Sequence, residues 1–347
     1  MKAALLHQSL EISIEEIKKP KINDDDILVR INSCGVCATD VKKFTGKSSA
    51  PHFPFILGHE PAGTIEEIGV SVQSDLNIGD RIAIAPVTVC GYCYGCQSGK
   101  VAAEGMGMCE NYQVIGYSID GAFAEYLAVP KENVYKIPSN LSFKDAALIE
   151  PVAACANGVL RAVSSPPGTA IVLGAGFMGL TSLALLKILG AQVLITDILD
   201  ERLNSALEMG ADKVVNPTKN NLDAEVSDFT QNRGADSIIC AVGNKELTEA
   251  GFKMLAKAGR MVLLASAAKD TMVEFDLNDL HYYHSVVTGS VSYTETQFMW
   301  AMDLLARSLI DTDQLVTNVG GLENVEKFLE MTRDLEGLKK VILVNEE

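Results

Sequence analysis

The chain has no stretch of eighteen apolar residues; its most apolar segment, Phe177 to Ile195, is interrupted by Lys187. That argues against a membrane-spanning helix, and the segment reads instead as a helix followed by a strand. Positive charge is also short. Lys+Arg number 29 against Asp+Glu 45, a net charge of −16 with no basic cluster, so nothing would neutralise a phosphate backbone and nucleic-acid binding is disfavoured. At the N-terminus, Met1 to Leu6 is too short an apolar run for a signal peptide before His7, Gln8, Glu11, Glu15 and Glu16. The sequence has no internal repeat and no low-complexity segment. A soluble, cytoplasmic protein with neither membrane nor nucleic-acid partners is expected.

What is present is a globular composition. With 48% hydrophobic and 21% charged residues over 347 positions, the chain has enough apolar content for two cores. Its eight cysteines should be thiols or metal ligands rather than disulfides, because a cytoplasmic compartment is reducing.

Residues 1 to about 155 read as short strands and turns, with Ile27 to Ile31 strand-like and Gly58, Gly63, Gly69, Gly79-Asp80 and Gly91 as punctuation. From Thr169 the pattern alternates. Strands are expected at Ala170 to Leu173, Gln192 to Thr196, Lys213 to Val215, Ser237 to Ala241, Arg260 to Ala265 and Val286 to Thr288. Helices are expected at Phe177 to Leu189, Glu201 to Met209 and Lys245 to Lys257. Such βαβ alternation predicts one doubly wound parallel sheet. Beyond it lie two amphipathic helices, near Thr296 to Ser308 and Leu322 to Arg333, and a strand at Lys340 to Val344 that should rejoin the first domain. The boundary after Ser164 carries Pro166-Pro167-Gly168, read as a turn.

Gly174-Ala-Gly176-Phe-Met-Gly179 follows a predicted strand and opens a predicted helix, the context in which this glycine pattern signifies a dinucleotide. The first glycine permits the tight turn, the second lets a pyrophosphate reach the backbone, and the third lets helix and strand pack closely. Asp197 ends the second predicted strand, 23 residues beyond Gly174, where its carboxylate can accept both adenosine ribose hydroxyls and repel a 2′-phosphate. No arginine is adjacent in sequence, Arg202 lying a helical turn farther on, so NAD is predicted over NADP. The candidate cofactor contacts are Gly174, Gly176, Phe177, Met178, Gly179, Asp197, Arg202 and Val242.

Cys90, Cys93, Cys96 and Cys109 place four soft ligands within about twenty residues, which fits a closed tetrahedral structural zinc site better than an iron–sulfur cluster. A second constellation is dispersed: Cys37 in Cys34-Gly-Val-Cys-Ala-Thr-Asp40, Gly58-His59-Glu60, and Glu150-Pro151. A thiolate, an imidazole and carboxylates make a mixed site that leaves room for substrate oxygen, as catalytic zinc requires, although isolated Cys and His are also common packing residues. Cys34, Cys155 and Cys240 read as small buried hydrophobes, and His7, His52, His281 and His284 receive no role.

At these residues the chain resembles the zinc-containing medium-chain alcohol dehydrogenase family, and within it the polyol branch of sorbitol and threonine dehydrogenases. The most specific piece is Gly58-His-Glu-x2-Gly63-x5-Gly69-x2-Val72, followed in family order by Gly79-Asp80-Arg81, the four-cysteine lobe, Gly121-Ala-Phe-Ala-Glu-Tyr126 and the glycine-rich segment. The resemblance covers essentially the whole chain. It implies a GroES-like, β-rich catalytic domain at 1–155 with a structural-zinc lobe, a Rossmann NAD-binding domain at 156–292, and a return to the catalytic domain at 293–347. It implies two zinc ions per chain, with Cys37 and His59 as catalytic ligands, Glu60 as ligand or exchange partner, and Glu150 as ligand or neighbouring carboxylate. Asp40 would fix the His59 tautomer, and Thr39 would relay the substrate proton. A cleft between the domains and a homodimer or homotetramer are also implied.

Three departures mark this sequence. Twelve residues separate Cys96 from Cys109 where the family usually has seven. Lys42-Lys43-Phe44 stands where sorbitol dehydrogenases carry a pocket His and Tyr, and Asn157 replaces a frequent His. The leading expectation is an NAD-dependent zinc dehydrogenase of a polyol, cyclitol or sugar alcohol. Lys42 and Lys43 raise the alternative of an anionic sugar alcohol, against the reading of both as solvated surface lysines. A non-catalytic NAD(H)-binding redox sensor is the alternative of another class, and the presence of Cys37, His59 and Thr39 argues against it.

Overall fold

The structure, a computed structural model, describes residues 1–163 and 168–345. The Pro166-Pro167 part of the expected turn lies outside the described residues. Packing divides the chain into two units, one of Met1–Pro151, Thr294–Ser308 and the chain from Leu315 onward, the other of Val152–Tyr293 and Leu309–Gln314.

The first unit is built on the strand Asp26–Val36, eleven residues long and buried along almost its whole length. One flank pairs with Glu60–Ile68; the other is shared by Tyr126–Pro130 toward its start and Lys339–Leu343 toward its end. A sheet of seven strands results, completed by Arg81–Ile84, Val134–Lys136 and Val316–Gly320. The strand's side chains Ile27, Val29, Ile31 and Cys34 join Phe55, Leu57 and Phe123 in the core, while its buried Asn32 and Ser33 are hydrogen-bonded to Thr64 and to the Phe143 carbonyl. A separate sheet pairs Glu11–Glu16, Lys2–Gln8 and Phe55–Ile56 in that order.

The register around the end of the central strand matters most. Gly35 faces Glu60 on one side and Val341 on the other, while Val36 faces Lys340. Cys37 follows directly and caps the helix Ala38–Phe44. Three strands distant in sequence therefore deliver Cys37, Glu60 and Lys339 to one place.

The second unit is a parallel sheet of six strands in the order Lys213–Val215, Gln192–Thr196, Thr169–Leu173, Ala235–Cys240, Leu255–Leu263, Val286–Gly289. Numbered along the chain this is 3-2-1-4-5-6, the doubly wound order whose ligand site lies beyond the carboxyl ends of the central strands. The helix predicted to reach Lys257 ends at Lys253, because Leu255 already pairs with Ala235 and an irregularity carries the ladder on to Arg260 opposite Ser237. Tertiary pairing overrides local helix propensity there. Two helices without a strong sequence signal, Leu222–Phe229 and Leu277–Tyr283, complete the unit. Among the described residues no helix is long and apolar enough to cross a membrane.

Candidate active site

Asp40 sits in the first turn of the Ala38–Phe44 helix and is almost fully buried. Its Oδ2 accepts the Cys37 backbone N–H at 2.9 Å, which closes the helix start. Its Oδ1 lies 3.1 Å from the Gly58 nitrogen, which donates to it, and 3.2 Å from His59 Nδ1. Gly58 has φ +96°, and a β-carbon there would meet Phe123 at 2.8 Å and Cys34 Sγ at 3.0 Å, so only glycine lets the loop enter this corner. With Nδ1 directed to Asp40, Nε2 is left for another partner.

That partner space is defined by donors. Cys37 Sγ, a His59 ring nitrogen and a Glu60 carboxylate oxygen all lie within 4.8 Å of one another. One sulfur, one nitrogen and one oxygen fit a zinc ion that keeps a position open. Burial opposes charge on the His59 ring, yet Asp40 and then Cys37 outweigh it and hold its pKa well above the usual histidine value. Metal and proton therefore compete for this ring.

Glu150 opens the helix Ile149–Ala162 and stands within electrostatic range of the same groups, outside the three-residue cluster. Burial pushes its carboxyl up to about 7; His59 and Lys339 oppose the rise, while Glu60 and Asp40 add to it. Thr39 is half-buried on the first helical turn beside Cys37. Cys34 lies behind the site, its thiol pushed well up by burial and by Asp40, and Cys155 and Cys240 are buried as expected.

Lys339 is the residue that sequence reasoning missed. Its ammonium donates to Glu60 Oε1 at 2.6 Å and also contacts Oε2, and both side chains are almost wholly enclosed. Burial disfavours its charge, but Glu60, Cys37 and Glu150 raise its pKa above the ordinary lysine value. Breaking a buried pair by removing one partner typically costs about 3–5 kcal/mol, so the two stand or fall together. With 279 positions between the partners, no local pattern announces the pair.

The lysine pair near the site is split. Lys42 is exposed, whereas Lys43 is 3% exposed, donates to the Ser49 carbonyl at 2.6 Å and lies 4.1 Å from the centre of the Tyr117 ring. Lys43 is thus not a solvated surface lysine, and burial lowers its pKa.

The second candidate metal site is compact. Sulfur separations are 3.5 Å for Cys93–Cys96, 3.6 Å for Cys90–Cys109 and 3.9 Å for Cys93–Cys109. Tetrahedral zinc with Zn–S bonds near 2.3 Å requires about 3.8 Å between sulfurs, so the four thiols fit that ion. The long gap before Cys109 is taken up by the helix Lys100–Glu104 and a turn at Met106–Met108. Gly95 makes the return possible: a β-carbon there would stand 2.0 Å from the Met108 carbonyl oxygen.

In the other unit, Gly174 has φ +100°, and a β-carbon on Gly179 would fall 1.8 Å from the Gly174 carbonyl oxygen. The position above Gly176 is open, its only near neighbour among the described residues being Arg202 Nη1 at 3.9 Å. This is a cradle that a side chain would fill and that a pyrophosphate fits. Phe177 and Met178 begin the helix Phe177–Ile188. A cavity of about 480 Å³ continues past Gly174, Thr196, Asp197, Val242 and Leu247, with the buried Thr196 hydroxyl lacking a hydrogen-bond partner among the described residues. Asp197 accepts the Ala175 N–H at 2.8 Å and the Leu199 N–H at 3.0 Å. Arg202, a turn away in sequence, folds back to 3.9 Å from the Asp197 carboxylate, so sequence distance does not keep a guanidinium away from this position.

Comparison with known proteins identifies the family. Residues 23–139 match the alcohol dehydrogenase GroES-like domain, and residues 178–307 match the zinc-binding dehydrogenase family. The chain is 31% identical over 339 residues to sorbitol dehydrogenase of Bacillus subtilis, covering 95% of this chain and 93% of that protein. It belongs to the zinc-containing medium-chain alcohol dehydrogenase family. Its fold is accordingly a GroES-like domain with a Rossmann domain, and it is an oxidoreductase of the branch that includes polyol dehydrogenases. Galactitol-1-phosphate dehydrogenase from Escherichia coli superposes with a TM-score of 0.89 at 25% identity, covering 99% of this chain and 100% of that one. An alcohol dehydrogenase from Escherichia coli CFT073 complexed with NADH also gives 0.89, at 27% identity and 99% coverage of both chains.

Proposed function

We propose that this dehydrogenase oxidises a secondary alcohol of a polyol, cyclitol or sugar alcohol with NAD, reversibly, using a zinc ion held by Cys37 and His59 with Glu60. The observation that carries the reading is the Asp40–His59 contact beside the Cys37 and Glu60 donors. When bound, zinc supplies a Lewis acid that lowers the pKa of an alcohol oxygen, and NAD supplies the hydride acceptor. The chain's own residues do the rest. Asp40 holds the His59 ring in one orientation, Thr39 offers a hydroxyl beside Cys37 to pass the alcohol proton outward, and Glu150 places a carboxyl that titrates near neutrality close by.

The glycine turn would take the pyrophosphate, with Phe177, Met178, Val242 and Arg202 around it and Asp197 toward the adenosine ribose. NAD is favoured over NADP because the Asp197 carboxylate, with Arg202 at 3.9 Å, occupies that position. Cys90, Cys93, Cys96 and Cys109 would hold a second, structural zinc that rigidifies their lobe. An intact donor set with Thr39 leaves no reason to retain a silent sensor. Lys43 already spends its ammonium on Ser49 and Tyr117, which supports a neutral substrate over an anionic one.

A homo-oligomer is part of the reading. The strand Val286–Gly289 ends the six-stranded sheet with one edge unpaired among the described residues, and Leu277, Tyr282 and Val291 are exposed nearby in sequence. Thiols throughout, with no disulfide among the described residues, suit a reducing cytoplasm.

The test is NADH formation from NAD⁺ across matched polyols and their phosphates, with and without a zinc chelator. Chelator-sensitive turnover of neutral polyols is expected. Turnover confined to phosphorylated or acidic substrates would reassign Lys42 and Lys43 to substrate binding, and chelator-insensitive turnover would overturn the metal assignment.

A further inference from the structure

We propose that Lys339 is a positioning residue that restrains Glu60 from binding the metal permanently, so that the coordination position Glu60 can reach stays exchangeable for substrate oxygen. The inference rests on the reading of Cys37 and His59 as zinc ligands.

Three observations converge on it. The strand register brings Glu60 and Lys339 together over Gly35, where a β-carbon would stand 1.9 Å from Glu60 Oε2 and 3.0 Å from Lys339 Cε. Gly35 thus leaves the space in which the pair sits. The ammonium donates to Oε1, while Oε2, though close to it, accepts no well-formed hydrogen bond among the described residues. A Glu60 oxygen is at the same time within 4.8 Å of the Cys37 and His59 donor atoms.

One carboxylate therefore faces two cationic positions. Charge given to the ammonium is not available to a divalent ion, and a buried carboxylate without its ammonium would turn to the metal as its remaining counter-charge. Lys339 then weakens the hold of Glu60 on zinc. If Lys339 served only to tie the strands together, its removal would loosen the site and speed metal loss. The two accounts predict opposite signs.

The experiment measures zinc release from the loaded full-length protein to a chromophoric chelator, in wild type, Lys339→Met, Lys339→Arg and the Glu60→Gln/Lys339→Met double variant. The catalytic-site phase is identified as the one that Cys37→Ser removes. Lys339→Met should release this zinc about tenfold more slowly. Lys339→Arg should restore the wild-type rate, and the double variant should lose the slowing. If Lys339→Met does not fold, Lys339→Gln makes the same comparison with a neutral hydrogen-bonding side chain. Release as fast as wild type or faster in a folded neutral variant would overturn the proposal while leaving the ligand assignment intact. Absence of any Cys37-dependent zinc phase in wild type would overturn both.

Discussion

A single carboxylate oxygen of Asp40 stands 3.2 Å from His59 Nδ1 and 3.1 Å from the Gly58 nitrogen, tying a helix start to the loop that presents the imidazole. Asp40→Asn keeps the shape but removes the charge that fixes the ring. Zinc affinity at the Cys37–His59 site should fall about 10–100-fold. Zinc per chain against graded chelator should show this loss while the four-cysteine zinc persists; unchanged retention at both sites would count against Asp40 as the orienting group.

Gly95 allows the chain to return to Cys109 past the Met108 carbonyl. Gly95→Ala should separate Cys109 from the other three thiols, and zinc content should drop toward one ion per chain with a lower melting temperature. Full zinc content in the variant would show that the lobe accommodates the extra carbon.

The glycine turn offers a contrast between two neighbouring positions. Gly179→Ala would force a β-carbon to 1.8 Å from the Gly174 carbonyl and should destabilise the fold. Gly176→Val enters open space, so thermal stability should hold while NADH binding, followed by fluorescence, is lost. Equal losses of stability in the two variants would contradict the cradle.

Metal binding should be proton-linked. Cys96 is pushed up to about 12 by burial and by Cys93, so at pH 7 it is protonated without metal and must release its proton to ligate. Cys90 is held at about 6 because backbone N–H groups of Tyr92 and Cys93, with the Asn111 side chain, outweigh burial, and it is already mostly thiolate. At His59, where burial is outweighed by Asp40 and Cys37 and the pKa is raised, zinc competes with a proton for the ring. Affinity at both sites should rise with pH near 7, and zinc added in weak buffer should release protons, read with an indicator dye. No proton release would contradict these ionisation states.

Much of this arrangement is readable along the chain because it is local. The spacing of Cys90, Cys93 and Cys96, the Gly174–Gly179 turn after a strand, and Asp197 after the next strand are short-range patterns whose geometry follows from a few residues. The alternation that predicts the doubly wound sheet is equally local. What escapes is set by strand register and folding back. Lys339 reaches Glu60 only through pairing across Gly35, and Arg202 reaches Asp197 only because its helix turns over the strand end. Lys43 reads as a surface cation until the carbonyl of Ser49 and the ring of Tyr117 enclose it. The helix expected through Lys257 fails for the same reason, since Leu255 is claimed by the strand of Ala235.

The most direct test of the central claim is NAD⁺ reduction with a neutral polyol by His59→Ala, measured alongside zinc content. The account predicts a folded protein that keeps the four-cysteine zinc, still binds NADH, loses the other zinc and forms NADH at least about a hundredfold more slowly than wild type. Wild-type turnover in a variant that has lost that zinc would contradict it.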